Sequence, residues 1–331
     1  MFFNKQFSSL TIIIFLLSSM GYGMSTKLRN YHNTAKRQHW PRTIAYMGNN
    51  QSPVLKKLQA VKPKYERLII VLIPSYNNKE WYPINLSSVF AQKYKNYQII
   101  YIDDNSPDGT GALVAQYIKD KKMEGKVTLI RNKQRLYAAE NRYNAIHSCP
   151  DHAIIVNLDG DDWFLRDDVL SIINKAYENP DVWLTYGQFI NWPTNKLGYG
   201  HELPSDVIEN RTVRTYKNKR GEFQWEIGQP RTFYAWLFKQ IKKENFMYKG
   251  SFFTAATDVA MMIPIIEMVG NKLLFIPDIF YMRNVNTEEN VFKTNRKVQK
   301  TYGDFVYKGK IYNQIKQLPF TNLTGAMPKH N

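Results

Sequence analysis

At 331 residues the chain is long enough for one large α/β domain or two modest ones, and its 44% apolar and 22% charged residues are ordinary for a globular protein. A single cysteine, Cys149, excludes an intrachain disulfide and makes no thiolate metal site alone; between Ser148 and Pro150 it reads as an inert thiol at a helix end. The formal charge of +17 sits at the ends, with eleven Lys or Arg against Glu66 in residues 1–67 and eight against Asp304 in residues 293–331. Such basic flanks on a near-neutral middle suit an anionic membrane surface or an acidic substrate.

Residues 1–25 have the form of a signal peptide or short signal anchor. Lys5 is the positive head, Leu10–Leu17 the apolar run, and Gly21-Tyr22-Gly23 the small-residue cleavage site. The run is short for a membrane span, which wants about 20 apolar residues, and the expected destination is a secretory route. Residues 26–66 are basic and aperiodic, with Pro41, Pro53 and Pro63, and read as a stem or linker. Asn50, Asn85, Asn210 and Asn322 each begin an N-x-S/T sequon, a pattern common by chance in an Asn-rich chain.

The folded domain is expected over 67–310. Leu68–Ile73 is a continuous apolar run, as in a strand buried on both faces. A helix is expected near 79–92, a strand over Gln98–Ile102 and a helix over Thr110–Lys121. A strand over Val127–Ile130, a helix near 135–147 and a strand over Ala153–Leu158 follow. This alternation predicts a mainly parallel, Rossmann-like α/β sheet flanked by helices, with ligands beyond the carboxyl ends of its strands. Residues 188–230 read as a long irregular insertion, 231–243 and 258–269 as helices, and 311–331 as a basic tail.

Three segments stand at those strand ends. Pro74-Ser75-Tyr76-Asn77 offers a ring that can stack on a planar base, although Pro and Asn also make plain turns. Asp103-Asp104-Asn105-Ser106-Pro107-Asp108-Gly109-Thr110 offers adjacent carboxylates, costly at a buried strand end unless used. One of them can accept the imide N–H of uracil; the bland alternative is a capped turn. Asp159-Gly160-Asp161-Asp162 groups three carboxylates into an oxygen-rich site for Mg²⁺ or Mn²⁺, against the alternative of a solvated acidic turn.

In this order and spacing, PSYN, DDNSPDGT and DGDD resemble the motifs of the family 2 glycosyltransferases over Leu68 to Trp163. The resemblance implies a GT-A fold, with a nucleotide-binding half at 67–165 and an acceptor half at 166–310. It implies a nucleotide-sugar donor, UDP-type favoured, and Mn²⁺ or Mg²⁺. Donor contacts would come from Pro74, Tyr76, Asn77, Asp103, Asp104, Arg135, Asn141, Asp159 and Asp161. Tyr76 would stack on the base and Asp104 hydrogen-bond it; Asp161 and Asp162 would face ribose and metal, with Asp162 the direct ligand.

Phe253–Glu267 resembles the family's acceptor region, in which an acid opening a helix serves as base. Here only Asp258 of the usual acidic pair is present, and its plain reading is a first-turn helix acid. Tyr281-Met282-Arg283-Asn284 lacks the His that many relatives supply to the metal. The reaction expected is an inverting single displacement onto a hydroxyl of a glycan, lipid or protein, with Asp258 as base. The rivals are a catalytically silent sugar- or partner-binding relative, a nucleotidyltransferase, and a transferase with a lipid-linked donor. PSYNNKEW lacks the nucleotidyltransferase's Gly-rich loop, and nucleic acid is not expected as a partner, because no signature of binding it is present.

Overall fold

The computed structural model describes residues 51–287 except 218, 220 and 222, together with 296–320. The expected leader, most of the stem and the sequons at Asn50 and Asn322 lie outside the described residues.

The first half follows the expected alternation. Strands Ile69–Ser75 (β1), Tyr97–Asp103 (β2), Val127–Arg131 (β3) and Ile154–Asn157 (β4) are parallel, in spatial order β3-β2-β1-β4. Their apolar runs are continuous because both faces are covered: Ile69, Val71 and Ile73 are wholly buried, as are Ile70 and Leu72 on the opposite face to within a few per cent. Crossover helices Tyr82–Phe90, Thr110–Asp120 and Tyr137–Ser148 connect them. In this order β1 lies between β2 and β4, so their three exits are neighbours.

The second half departs from expectation. Arg231–Tyr234, read in sequence as the start of a helix, is a strand (β8) paired antiparallel with β4, and only Ala235–Lys239 after it is helical. The expected irregular insertion begins inside a strand, Leu184–Trp192 (β6), which pairs with β8 and runs parallel to Leu273–Asn284 (β11). Trp163–Phe164 (β5) closes the path, and Lys196–Leu197 (β7) pairs with β6, so nine strands form one sheet among the described residues, while Met247–Tyr248 (β9) and Ser251–Phe252 (β10) pair as a separate hairpin. Gly187 in β6 is where three backbones converge, since a Cβ on Gly200 or on Gly228 would each come within 2.2 Å of the Gly187 carbonyl oxygen.

Neither expected linker is one where it is described. Ser52 caps helix Pro53–Ala60, its hydroxyl accepting the Leu55 N–H, with Pro at the start of the helix. Leu55 is 1% exposed, a burial of about 1.5–3 kcal/mol for a leucine, and Ser52 also bonds to Asp278 of β11. In the tail, the Ile315 N–H donates to the Met268 carbonyl, and Leu318 and Phe320 pack on the core.

Candidate functional site

The exit of β1 is held by the loop after β2. Its side chains at alternate positions catch three consecutive main-chain N–H groups: the Ser106 hydroxyl accepts from Asn77 (3.0 Å), Thr110 from Asn78 (3.0 Å) and Asp108 from Lys79 (3.1 Å). Gly109 makes the turn possible, with φ at +84°, where a side chain would be strained. Most of DDNSPDGT therefore works as scaffold. Asp103, expected at the donor, lies under the next helix. Its carboxyl accepts hydrogen bonds from the Ser106 hydroxyl and N–H, burial raises its pKa, and a Cβ on Gly111 would fall 2.2 Å from its Oδ2.

Asp104 is buried and takes three hydrogen bonds of 2.8 Å, from Asn132 Nδ2 and the Leu136 and Tyr137 N–H groups. A carboxylate has about four acceptor positions, so one remains for a ligand. Asn132 also donates to Asn141 Oδ1, and the Nδ2 of Asn141 is buried without a partner among the described residues. Arg135 lies between two rings, its guanidinium carbon 3.5 Å from the centroid of Tyr76 and 4.6 Å from that of Tyr137. The ring face expected to receive a base is thus covered by a planar cation of similar thickness.

The acidic turn follows β4. Gly160 is required there: its N–H donates to the Pro74 carbonyl, and an added Cβ would meet Ser75 Cβ at 2.7 Å. Asn85, wholly buried in the helix after β1, clamps the turn by donating to the Asp159 and Asp162 carbonyls at 2.9 and 2.7 Å. Its sequon is accordingly no acceptor for a glycan in the folded chain.

The three carboxylates divide. Asp162, expected as the direct metal ligand, is 3% exposed; one of its oxygens accepts the Tyr281 hydroxyl and the other the Asn284 N–H, both at 2.6 Å. Burial foremost, and then the charges of Asp161 and Asp159, hold its pKa well above the usual range. Both oxygens of Asp162 are thus engaged in fastening the end of β11. Asp159 and Asp161 keep only part of their surface in water. Asp159, with a side chain 40% exposed, pairs with Arg142 at 2.5 Å, and Asp161 accepts the Thr287 hydroxyl at 3.1 Å.

Burial, and secondarily the charge of Asp159, pushes Asp161 up to about 6. That crowding of negative charge is what a divalent cation relieves, so the pair fits a hard metal. Among the described residues, no three His, Cys, Asp or Glu side chains are grouped to hold an ion.

On the acceptor side, Asp258 stands in the first turn of helix Thr257–Val269, with its side chain 34% exposed. Its Oδ2 is 3.4 Å from an Nη of Arg231, which is buried in β8 beside Asn157, two residues before Asp159. Sequence reasoning passed over Arg231, Arg142, Asn85 and Tyr281. Tyr281 was read only for the His it does not precede, and the two arginines sat in stretches read as plain helix. Tyr186 and Trp192, aromatic rings of a kind that sugars stack on, are core residues at 1% and 8% exposure. A cavity of 260 Å³ lined by Val207, Arg211, Ile266 and Gln314 lies at the far end of the same helix, away from these groups.

Residues 70–246 match the sequence model of glycosyl transferase family 2. The E. coli UDP-Glc:alpha-D-GlcNAc-diphosphoundecaprenol beta-1,3-glucosyltransferase WfgD is 23% identical over 54% of this chain and 71% of its own. An uncharacterized glycosyltransferase of Haemophilus influenzae is 26% identical over 57% of each chain, so the match spans little more than half of that relative. Among solved structures, the Pyrobaculum calidifontis mannosyltransferase PcManGT, in complex with GDP-Man and Mn²⁺, superposes with a TM-score of 0.51 at 18% identity. The alignment covers 81% of this chain and 72% of that one. S. aureus TarS 1-349 in complex with UDP-GlcNAc gives 0.50 at 12% identity, covering 68% and 60%. The fold they share with this chain is GT-A.

Proposed function

Since this chain belongs to glycosyl transferase family 2, we propose that it is a sugar transferase that takes its sugar from a nucleoside-diphosphate donor, UDP-type first, by metal-assisted inverting displacement. The observation that carries this reading is the pair of partly exposed, mutually repelling carboxylates Asp159 and Asp161 beside the exit of β1, where Tyr76 stands. Tyr76 would stack on the base once Arg135 moves aside, and the fourth acceptor position of Asp104 would take an imide N–H. Support for the nucleotide comes from the donors named for WfgD, TarS and PcManGT, and for the metal from the Mn²⁺ of PcManGT.

Asp161 and Asp159 would hold Mn²⁺ or Mg²⁺, which when bound offsets charge on the departing diphosphate. Asp258 would accept the proton of the acceptor hydroxyl as its oxygen attacks the anomeric carbon. The bond from that carbon to the diphosphate breaks, and its electron pair leaves with the nucleotide. The acceptor would be a glycan, lipid or protein on a secretory route. The basic ends of the chain would favour contact with an anionic membrane surface.

Thermal unfolding with UDP, GDP and CDP, each with and without Mn²⁺, tests the donor. A ligand at 100 times its Kd adds about 2.7 kcal/mol, readable as a shift of several degrees. A shift with UDP that requires Mn²⁺ supports the reading. No shift with any of the three overturns it in favour of a lipid-linked donor or a silent relative.

A further inference from the structure

Two arginine–acid pairs flank helix Thr257–Val269, and they differ in kind. Near its end, Arg214 grips Glu267 in bidentate fashion at 2.6 and 2.9 Å, the Glu267 side chain is wholly buried, and one oxygen also accepts the Tyr312 N–H. Three of that carboxylate's roughly four acceptor positions are taken. At the helix start, an Nη of Arg231 stands 3.4 Å from Asp258 Oδ2, longer than the roughly 2.7–2.9 Å of a close charge-assisted bond.

The other bonds of Arg231 go to neutral groups. Its Nε donates to the Ile227 carbonyl and an Nη to the Tyr199 hydroxyl, both at 3.0 Å. A guanidinium 6% exposed needs negative charge nearby, and among the described residues Asp258, at 3.4 Å, and the charge of Asp159 supply it. Among the described residues, Tyr199 and Tyr281 also act on Arg231, and Tyr307 feels the charge of Asp258. Burial and Asp258 together push Tyr307 up to about 12, so it stays neutral.

We propose that Arg231 is a positioning residue for transfer, a buried cation on the strand beside β4 that fixes the acceptor-side acid Asp258. It sets the direction in which that carboxylate faces the acceptor hydroxyl. The loose contact is the functional point, because it leaves more of the carboxylate free to take a proton than the three bonds on Glu267 do. The inference rests on the reading of Asp258 as base.

The test uses the full chain carrying ¹³Cγ-labelled aspartate, as wild type, Arg231→Lys, Arg231→Gln and Asp258→Asn. The Asp258 resonance is the one lost in Asp258→Asn. In Arg231→Gln that resonance is expected to move from its wild-type position, and in Arg231→Lys to stay near it. In parallel, UDP release from UDP-glucose should fall roughly 10- to 100-fold in kcat in the Gln variant, with KM little changed and most of the rate restored by Lys. An unmoved Asp258 resonance in Arg231→Gln overturns the proposal whether or not UDP-glucose is turned over. So does a rate loss that Lys does not rescue. Should the resonance move while Asp258→Asn still releases UDP at the wild-type rate, the base reading fails and the ion pair stands.

Discussion

Asp161→Asn should make the metal-free protein more stable while disabling it. In the folded chain Asp161 is pushed up to about 6, chiefly by burial and then by Asp159, from the ordinary value of 3.8. A carboxyl with a raised folded pKa binds protons that the unfolded chain has already lost, so its charge destabilises the fold above the folded pKa. The cost is absent below about pH 4, grows between about pH 4 and 6, and is complete at neutral pH. Two units at 1.36 kcal/mol each would be about 3 kcal/mol. Asp161 keeps part of its surface in water, and screening lowers the expectation to about 1–2 kcal/mol.

Asparagine retains an oxygen for the Thr287 hydroxyl, so the substitution removes charge without orphaning that donor. Urea unfolding at about pH 4.5 and 7.5 without metal should show the variant stabilised at the higher pH only, raising Tm there by a few degrees. The same variant should lose the Mn²⁺-dependent shift with UDP. A variant less stable than wild type at neutral pH, or one with an unchanged pH slope, would refute the argument that Asp161 is an uncompensated charge awaiting a cation.

Asp162→Ala should act in the opposite direction. It leaves the Tyr281 hydroxyl and the Asn284 N–H buried without their acceptor, a cost of about 2–5 kcal/mol in urea unfolding. A folded variant of unchanged stability that has lost metal binding would make Asp162 a ligand after all. Gly160→Ala drives a methyl to 2.7 Å from Ser75 Cβ and 2.8 Å from Asn78 Nδ2. We expect about 1–3 kcal/mol of destabilisation and weaker UDP binding by calorimetry; wild-type values for both would show that the turn yields. Tyr76→Ala should weaken UDP binding about tenfold or more, the worth of one stacked base. Unchanged affinity would mean that the base lies elsewhere and that Arg135 keeps its place on the ring.

The first four strands were legible because nothing in Ile69–Ser75 or Ile154–Asn157 competes with their apolar runs. β8 was not legible. Phe233, Leu237 and Phe238 fall at helical spacing, and Arg231–Tyr234 becomes a strand only because β4 and β6 are both there to pair with it. β6 was hidden by Thr185, Gly187 and Gln188, polar or small residues whose partners lie in distant segments: Thr232 for Thr185, Gly200 for Gln188. Ser52 and Pro53 did carry a helix-start signal, but Pro53 was counted among the breakers of a linker. At the site, the types of residue were readable and their directions were not. Adjacent Asp161 and Asp162 look alike in sequence, and only the arrival of Tyr281 and Asn284 from more than 100 residues away separates a carboxylate that fastens a strand from one left facing solvent.

The stapling of Asn77, Asn78 and Lys79 by Ser106, Thr110 and Asp108 changes what DDNSPDGT is evidence of. Its length reflects the demands of a turn that any descendant of this fold must build, whether or not it still handles a sugar. A lineage drifting into a silent role would keep those letters, because losing them would unmoor the neck of its first strand. Ancestry is written there. Competence is written in Asp159, Asp161 and Asp258, carboxylates that still reach solvent.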